Sequence, residues 1–149
     1  NAAQQNDAAA ACLIVSEDKL EDYGLRPMAF LKGWSAVGCE PSHMGIGPVG
    51  ATRKVLQKTG LSMQDMGLVE INEAFAAQVL ACLKGLDWDD QSILNVNGSG
   101  ISLGHPIGAT GVRIMTTLLH EMARRDVRYG LETMCVGGGQ GMAAIFERA

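Results

Sequence analysis

The sequence predicts an α/β domain, a mostly parallel sheet layered with helices and closed by a final antiparallel pair. Three observations carry that reading. Short apolar runs of strand length alternate with segments of helical apolar spacing through most of the chain. The last two apolar runs, 131–136 and 142–146, flank a glycine-rich turn, as a hairpin requires. The 149 residues are 47% hydrophobic and only 19% charged, enough to bury a core without disulfide or metal staples.

The elements follow in order. Ala8–Val15 is the longest apolar run and ends in Ser16-Glu17-Asp18, which reads as a buried strand leading into a helix that stops near Gly24. Phe30–Val37 reads as a second strand, weakened by Gly33. Gly45–Pro48 is a loop, with Pro48 in the first turn of a helix to Thr59 and Gly60 as its stop. Leu68–Ile71 is a short strand, and Asn72 is the expected N-cap of a helix whose apolar face holds Ala74, Phe75, Val79 and Cys82. Ile93–Val96 is another strand, cut off by Gly98-Ser99-Gly100. Pro106 opens a long helix with Met115, Leu118, Leu119 and Met122 at i, i+3, i+4 and i+7, and Arg124 and Arg125 near its negative end.

Composition excludes several classes. Twelve basic against sixteen acidic residues give a net charge of −4, and no Lys/Arg run exists, which argues against nucleic acid or an anionic membrane as partner. No apolar run is long enough to span a bilayer. Cys12, Cys39, Cys82 and Cys135 show no zinc or redox spacing, and His43, His105 and His120 no metal-ligand spacing, so neither a metal nor a disulfide is expected. Free thiols and the lack of a targeting signal in this segment suggest a cytoplasmic setting. The chain opens on Asn1 and reads as a piece of a longer one. His43 and His120 are taken as bystanders, and Trp34, Trp88, Cys12, Cys39 and Cys82 as packing residues.

Three constellations carry chemistry. Asn72-Glu73-Ala74-Phe75 stands at the carboxyl end of a strand, where α/β sheets gather ligands; the Asn72 amide can face a water or carbonyl oxygen, or cap the helix, and the two are compatible. Gly104-His105-Pro106-Ile107-Gly108-Ala109-Thr110-Gly111 puts His105 just before a helix, whose positive end favours a neutral ring able to take a proton or serve an oxyanion. The alternative is a buried histidine in a tight turn. This window matches neither GxGxxG nor the P-loop, so phosphate binding is a weak reading. Cys135-Val136-Gly137-Gly138-Gly139-Gln140-Gly141 sets a thiol beside bare glycine amides that an oxyanion can reach; the thiol can be nucleophile, base or a small buried hydrophobe.

Taken together, Asn72–Phe75, Gly104–Gly111 and Cys135–Gly141 resemble, in this order, the NEAF, GHP and CxGGG signatures of the thiolase family. Met44-Gly45-Ile46-Gly47-Pro48 and the opening Asn1…Asn6-Asp7 are also similar to thiolase segments. The likeness spans essentially all of residues 1–149 and matches the C-terminal half of a thiolase. It implies a layered α/β half with a mixed, mostly parallel five-stranded sheet. It also implies Claisen chemistry on acyl-CoA thioesters through an acyl-cysteine carried by the N-terminal half. On this resemblance His105 activates that cysteine and contributes to an oxyanion hole, Asn72 holds the water completing it, and Cys135 moves the α-carbon proton. The Gly137 amide serves a second oxyanion hole, and Met44, Ala74 and Phe75 line the acyl or pantetheine channel.

The resemblance also implies coenzyme A thioester as substrate with no separate cofactor, the N-terminal half as partner, and a homodimer or homotetramer when intact. Three departures stand out. No cysteine here lies in a nucleophile motif, so the piece alone should not turn over. Ala3 stands near a position where the family often carries a CoA-contacting serine, and Gly98–Ser102 differs from the commoner GGAxA. Two other readings are kept. One is a catalytically incomplete acyl-CoA-binding or interaction domain; the other, a cysteine hydrolase using Cys135 with His105, lacks an acidic residue to orient the histidine.

Overall fold

Four strands build the central sheet of the computed structural model, which describes residues 1–149. They are β1 (Ala29–Gly38), β2 (Leu68–Ile71), β3 (Tyr129–Val136) and β4 (Gln140–Arg148), in the order β1-β4-β3-β2. The helices are α1 (Gly47–Thr59), α2 (Ala76–Leu86), the one-turn α3 (Gly100–Leu103) and α4 (Thr110–Arg125). No helix is long and apolar enough to cross a membrane.

Period-two alternation divides the core between the two faces of the sheet. Val69 and Ile71 of β2, Leu131 of β3 and Ile145 of β4 face α1 and α2, where Val55 and Cys82 complete the larger cluster. Leu68 on the other face packs with Phe146 and with Leu118 and Met122 of α4. At the hairpin end α1 starts directly against β4. A Cβ on Gly47 would come 2.5 Å from the Gln140 carbonyl oxygen, and one on Gly141 would run into the Gly47 backbone, so both positions need glycine.

The layered α/β class stands, with corrections. The sheet has four strands, not five, and two of its three pairings are antiparallel; only β2–β3 is parallel. Ile93–Val96 contributes a single parallel bridge, Leu94 to Val69, because Asn95 adopts a left-handed conformation at φ 46° that ends the extended run. Ala8–Val15 is no strand: none of its backbone groups finds a hydrogen-bond partner in the chain, and Leu13 and Ile14 are 75% and 85% exposed. Strand preference acts through neighbours, and no strand of this chain takes that segment up. The helix after it shrinks to one turn at Glu17–Lys19. Helix α4 begins at Thr110, four residues after Pro106, since residues 107–109 form a turn closed by the Pro106 carbonyl. Trp34 is half exposed on β1, its ring 5.5 Å from the Lys58 ammonium, and Cys12 is exposed.

Between sheet and α4 lies a level of charge. Glu70 and Glu132 are register partners on β2 and β3, and burial pushes each carboxyl up to about 8. A folded-state pKa raised from 4.5 gives stability that is complete at acid pH and lost as pH rises from about 4.5 to about 8. The melting temperature is therefore expected to fall between pH 5.5 and pH 8.5, and Glu132→Gln to flatten that fall; an unchanged slope in calorimetric scans would contradict it. Leu118→Ala, which empties the α4 side of the core, is expected to cost about 2–5 kcal/mol in denaturant unfolding.

Candidate active site

The parallel pairing of β2 with β3 brings their carboxyl ends to one rim of the sheet, and the Asn72 N–H extends the ladder by donating to Thr133 O at 3.0 Å. Asn72 is fully buried and does not cap α2, whose N-cap position is Phe75; this corrects the capping role. Its side chain faces α4 instead, with Nδ2 3.3 Å from His105 Nε2. On the far side of the ring, His105 Nδ1 lies 2.7 Å from Thr110 Oγ1, and Thr110 gives its single hydroxyl proton to Pro106 O at 3.0 Å. The Thr110 oxygen therefore accepts from His105 Nδ1–H, which leaves Nε2 as the bare nitrogen facing the Asn72 amide.

Burial, followed by the charge of Arg113, holds the His105 imidazolium below the ordinary histidine range, and the start of α4 behind the ring acts in the same direction. Asn72 Oδ1 is buried with no partner in the chain, an acceptor held at the rim. Gly100 makes room for it: a Cβ there would come 2.6 Å from Glu73 O and 3.1 Å from Asn72 Oδ1.

Sequence reasoning missed the clamp around this pair. Asn95 uses its carboxamide as a strand would use a peptide group, Oδ1 accepting from Ile71 N–H at 2.8 Å and Nδ2 donating to Ile71 O at 2.9 Å. Glu73 then ties Asn95 Nδ2 and the Ile101 N–H to one carboxylate. Thr110 and Arg113 were also missed. The signal for Thr110 was a hydroxyl at the first residue of the helix that follows His105.

Cys135 is the last residue but one of β3, at the same rim but on the α1/α2 face, and no hydrogen bond joins it to His105 or Asn72. Its neighbour there is Cys82, whose thiol is pushed up to about 12 by burial and by Cys135, and which donates to Gly45 O at 3.4 Å. Half-buried Met44 precedes that glycine, so the Met44–Gly45 turn and α2 wall the Cys135 side. Ala74 is buried under the opening segment, which bonds through Ala3 N–H to Ala74 O and through Asn1 O to Ala76 N–H, whereas the Phe75 ring is 53% exposed. Gly137 is exposed, and its N–H has no acceptor in the chain. His43 and His120 are exposed, and neither hydrogen-bonds to Asn72, His105 or Cys135. A groove of about 740 Å³ between the opening segment, β1 and α4 touches none of Asn72, His105 and Cys135. No group of three or more His, Cys, Asp or Glu side chains is arranged to hold a metal ion.

Fold and site thus define an α/β domain whose sheet rim carries a neutral imidazole paired with a carboxamide, with a thiol on the opposite sheet face and a free glycine amide in the turn that follows it, groups able to move a proton and to meet an oxyanion. The chain belongs to the thiolase family: the model of the thiolase C-terminal domain matches residues 25–148. It is 55% identical over 148 residues to an acetyl-CoA acetyltransferase of Chromobacterium violaceum, covering 99% of this chain and 38% of that protein. It is also 55% identical to a 3-ketoacyl-CoA thiolase of Photorhabdus laumondii, covering 96% and 37%. Among solved structures, the Bacillus anthracis acetyl-CoA acetyltransferase superposes with a TM-score of 0.87 at 51% identity over 90% of this chain and 34% of that one. Human mitochondrial 3-ketoacyl-CoA thiolase in complex with CoA gives 0.86 at 48% identity, over 89% and 34%. The chain thus spans little more than a third of these relatives.

Thr110→Val is expected to keep the fold but release Nδ1, so that nitrogen-15 imidazole shifts at neutral pH change from one Nδ1-protonated tautomer to a mixture. A wild-type ring already protonated at Nε2 would contradict the assignment.

Proposed function

We propose that this domain supplies the oxyanion and proton-transfer half of an acyl-CoA C-acyltransferase, which makes or cleaves 3-ketoacyl-CoA by Claisen chemistry. The observation that carries the reading is the hydrogen-bonded chain Pro106–Thr110–His105–Asn72, which presents an unprotonated Nε2 beside an unpaired carboxamide oxygen at the strand rim. The names of the relatives support the substrate class, and the CoA bound to the human structure supports coenzyme A as the carrier.

In the condensing direction, a cysteine thiol of the remaining thiolase length loses its proton to His105 Nε2 and attacks the first thioester; departing CoA leaves as a thiol with the Cys135 proton, which leaves an acyl-cysteine, a Cys135 thiolate and a proton on His105 Nε2. The Cys135 thiolate then removes an α-proton from a second acyl-CoA, and the enolate oxygen accepts from the Nε2–H of His105 and from a water that gives its other hydrogen to Asn72 Oδ1. The enolate carbon attacks the acyl-cysteine carbonyl, whose oxyanion is met by the Gly137 N–H. Collapse expels the cysteine thiolate, which takes back the proton held on His105 Nε2, while Cys135 keeps the α-proton as its thiol. Met44, Ala74 and Phe75 are assigned to the acyl or pantetheine channel. No step uses a further cofactor.

None of Cys12, Cys39 and Cys82 lies in a nucleophile motif, and Cys82 is buried with its thiol pushed up to about 12. Alone it should bind but not turn over, and assembly as a dimer or tetramer is expected to need the remaining length. The test is made in a full-length protein carrying this domain. Asn72→Ala and His105→Ala are each expected to lower kcat by about 10²–10³, the usual scale for losing one oxyanion contact, with circular dichroism unchanged. Acylation trapped on Cys135 itself, or undiminished turnover in either variant, would sink the assignment.

A further inference from the structure

Arg113 has no place in the steps above, yet its burial is unusual. Its Nε, Nη1 and Nη2 are all buried without a hydrogen bond, and it forms no ion pair with any carboxylate. A guanidinium is always charged and its desolvation is costly, so one left in this state is held by the surrounding packing.

Its place follows from the packing of α4 on the sheet. Helix α4 runs antiparallel to β2: Leu118 and Met122, toward its end, pack on Leu68, while Thr110 at its start meets Asn72 through His105. Arg113 lies one turn after Thr110, and Glu70 lies midway between Leu68 and Asn72 on the same strand face. Beside β2, Glu132 is the register partner of Glu70, bracketed by Gly130 against Leu118 and Met122 and by Met134 against Gly111. Arg113 therefore occupies the level between the apolar cluster and the His105–Asn72 pair. Facing it are Glu70 of β2, Glu73 of the following loop and His105; Glu132 of β3 and Glu121 of α4 face Glu70. Glu70 and Glu132 each keep one oxygen buried and unpaired.

We propose that Arg113 is a positioning residue for His105: from its level between Glu70 and the His105–Asn72 pair, its buried positive charge keeps the ring neutral with the Nε2 lone pair free. The inference rests on the acyl-transfer reading of the site for its purpose, but not for its test. A like charge below the ring opposes a second proton, and the weakening of the His105 imidazolium by burial and by Arg113 is the expected consequence.

The chain has only three histidines, and exposed His43 and His120 serve as internal references in a proton and nitrogen-15 titration of the 149-residue chain. In wild type, His105 should titrate below the ordinary histidine range. In Arg113→Gln its midpoint should rise by about one pH unit, tenfold in proton affinity, while the Nδ1-protonated tautomer imposed by Thr110 persists. The double variant Glu70→Gln/Arg113→Met removes the guanidinium and the carboxyl that faces it at similar volume and guards against failure of the single variant to fold; it should show the same rise. An unmoved midpoint in the folded variants overturns the proposal, and so does a rise accompanied by loss of the Nδ1 tautomer, which would mean that Arg113 only keeps water out. Turnover is not read, so a negative result here leaves the acyl-transfer reading standing, and failure of that reading leaves this result intact.

Discussion

The site depends on the parallel pairing of β2 with β3. In an antiparallel pair the end of β2 and the end of β3 would lie on opposite rims, and Asn72 could not share an edge with Cys135. Register matters as much as direction. A slip of one residue in β2 would turn Leu68, Glu70 and Asn72 toward α1 and α2 and move Val69 and Ile71 out of the larger cluster. The burial of Val69 and Ile71 on one face therefore also sets the aim of Asn72 on the other, and the core and the site are specified by the same alternation.

Much of this was legible in the chain, and the parts that were not have physical reasons. Leu68–Ile71, the β3–β4 hairpin, the Gly60 stop, where φ is 69°, and the apolar stripe of α4 were readable because each is set by local periodicity or by a single backbone requirement. Ala8–Val15 misled because apolar content makes a strand only when a neighbour supplies hydrogen bonds, and none in this chain does. Ile93–Val96 misled because a side chain, that of Asn95, takes over pairing that periodicity assigns to backbone. At the site, Asn72 and His105 could be singled out as chemical residues, but their contact across 33 positions could not. Thr110 and Arg113 stayed hidden because their importance comes from facing His105 and Glu70, a consequence of helix phase against strand register.

The charged level under the site runs against the economy of the rest of the core. Burying Arg113, Glu70 and Glu132 costs desolvation that apolar residues of the same size would avoid, and buried ion clusters of this kind are often neutral or unfavourable for stability. The level is placed where its field reaches the imidazole and where the sheet rim, not the core, is the beneficiary. Stability arguments alone give no reason for it.

The neighbours of His105 all select the same protonation state. Burial disfavours the imidazolium, the first turn of α4 adds the positive end of its dipole, about 0.3–1 kcal/mol at exposed sites and more when buried, and Arg113 adds a full charge. Thr110 accepts only from Nδ1–H, and the Asn72 amide donates only to a bare Nε2. A ring so surrounded is a weak base at equilibrium, and for the same reason a strong acid once protonated. In the proposed acyl transfer that suits a group that must take the thiol proton as the thiolate attacks, offer it to the enolate oxygen and give it back when the cysteine sulfur departs. An imidazole that held its proton more firmly would bind the enolate oxygen well but would stall with the proton in place, so the arrangement trades basicity for turnover.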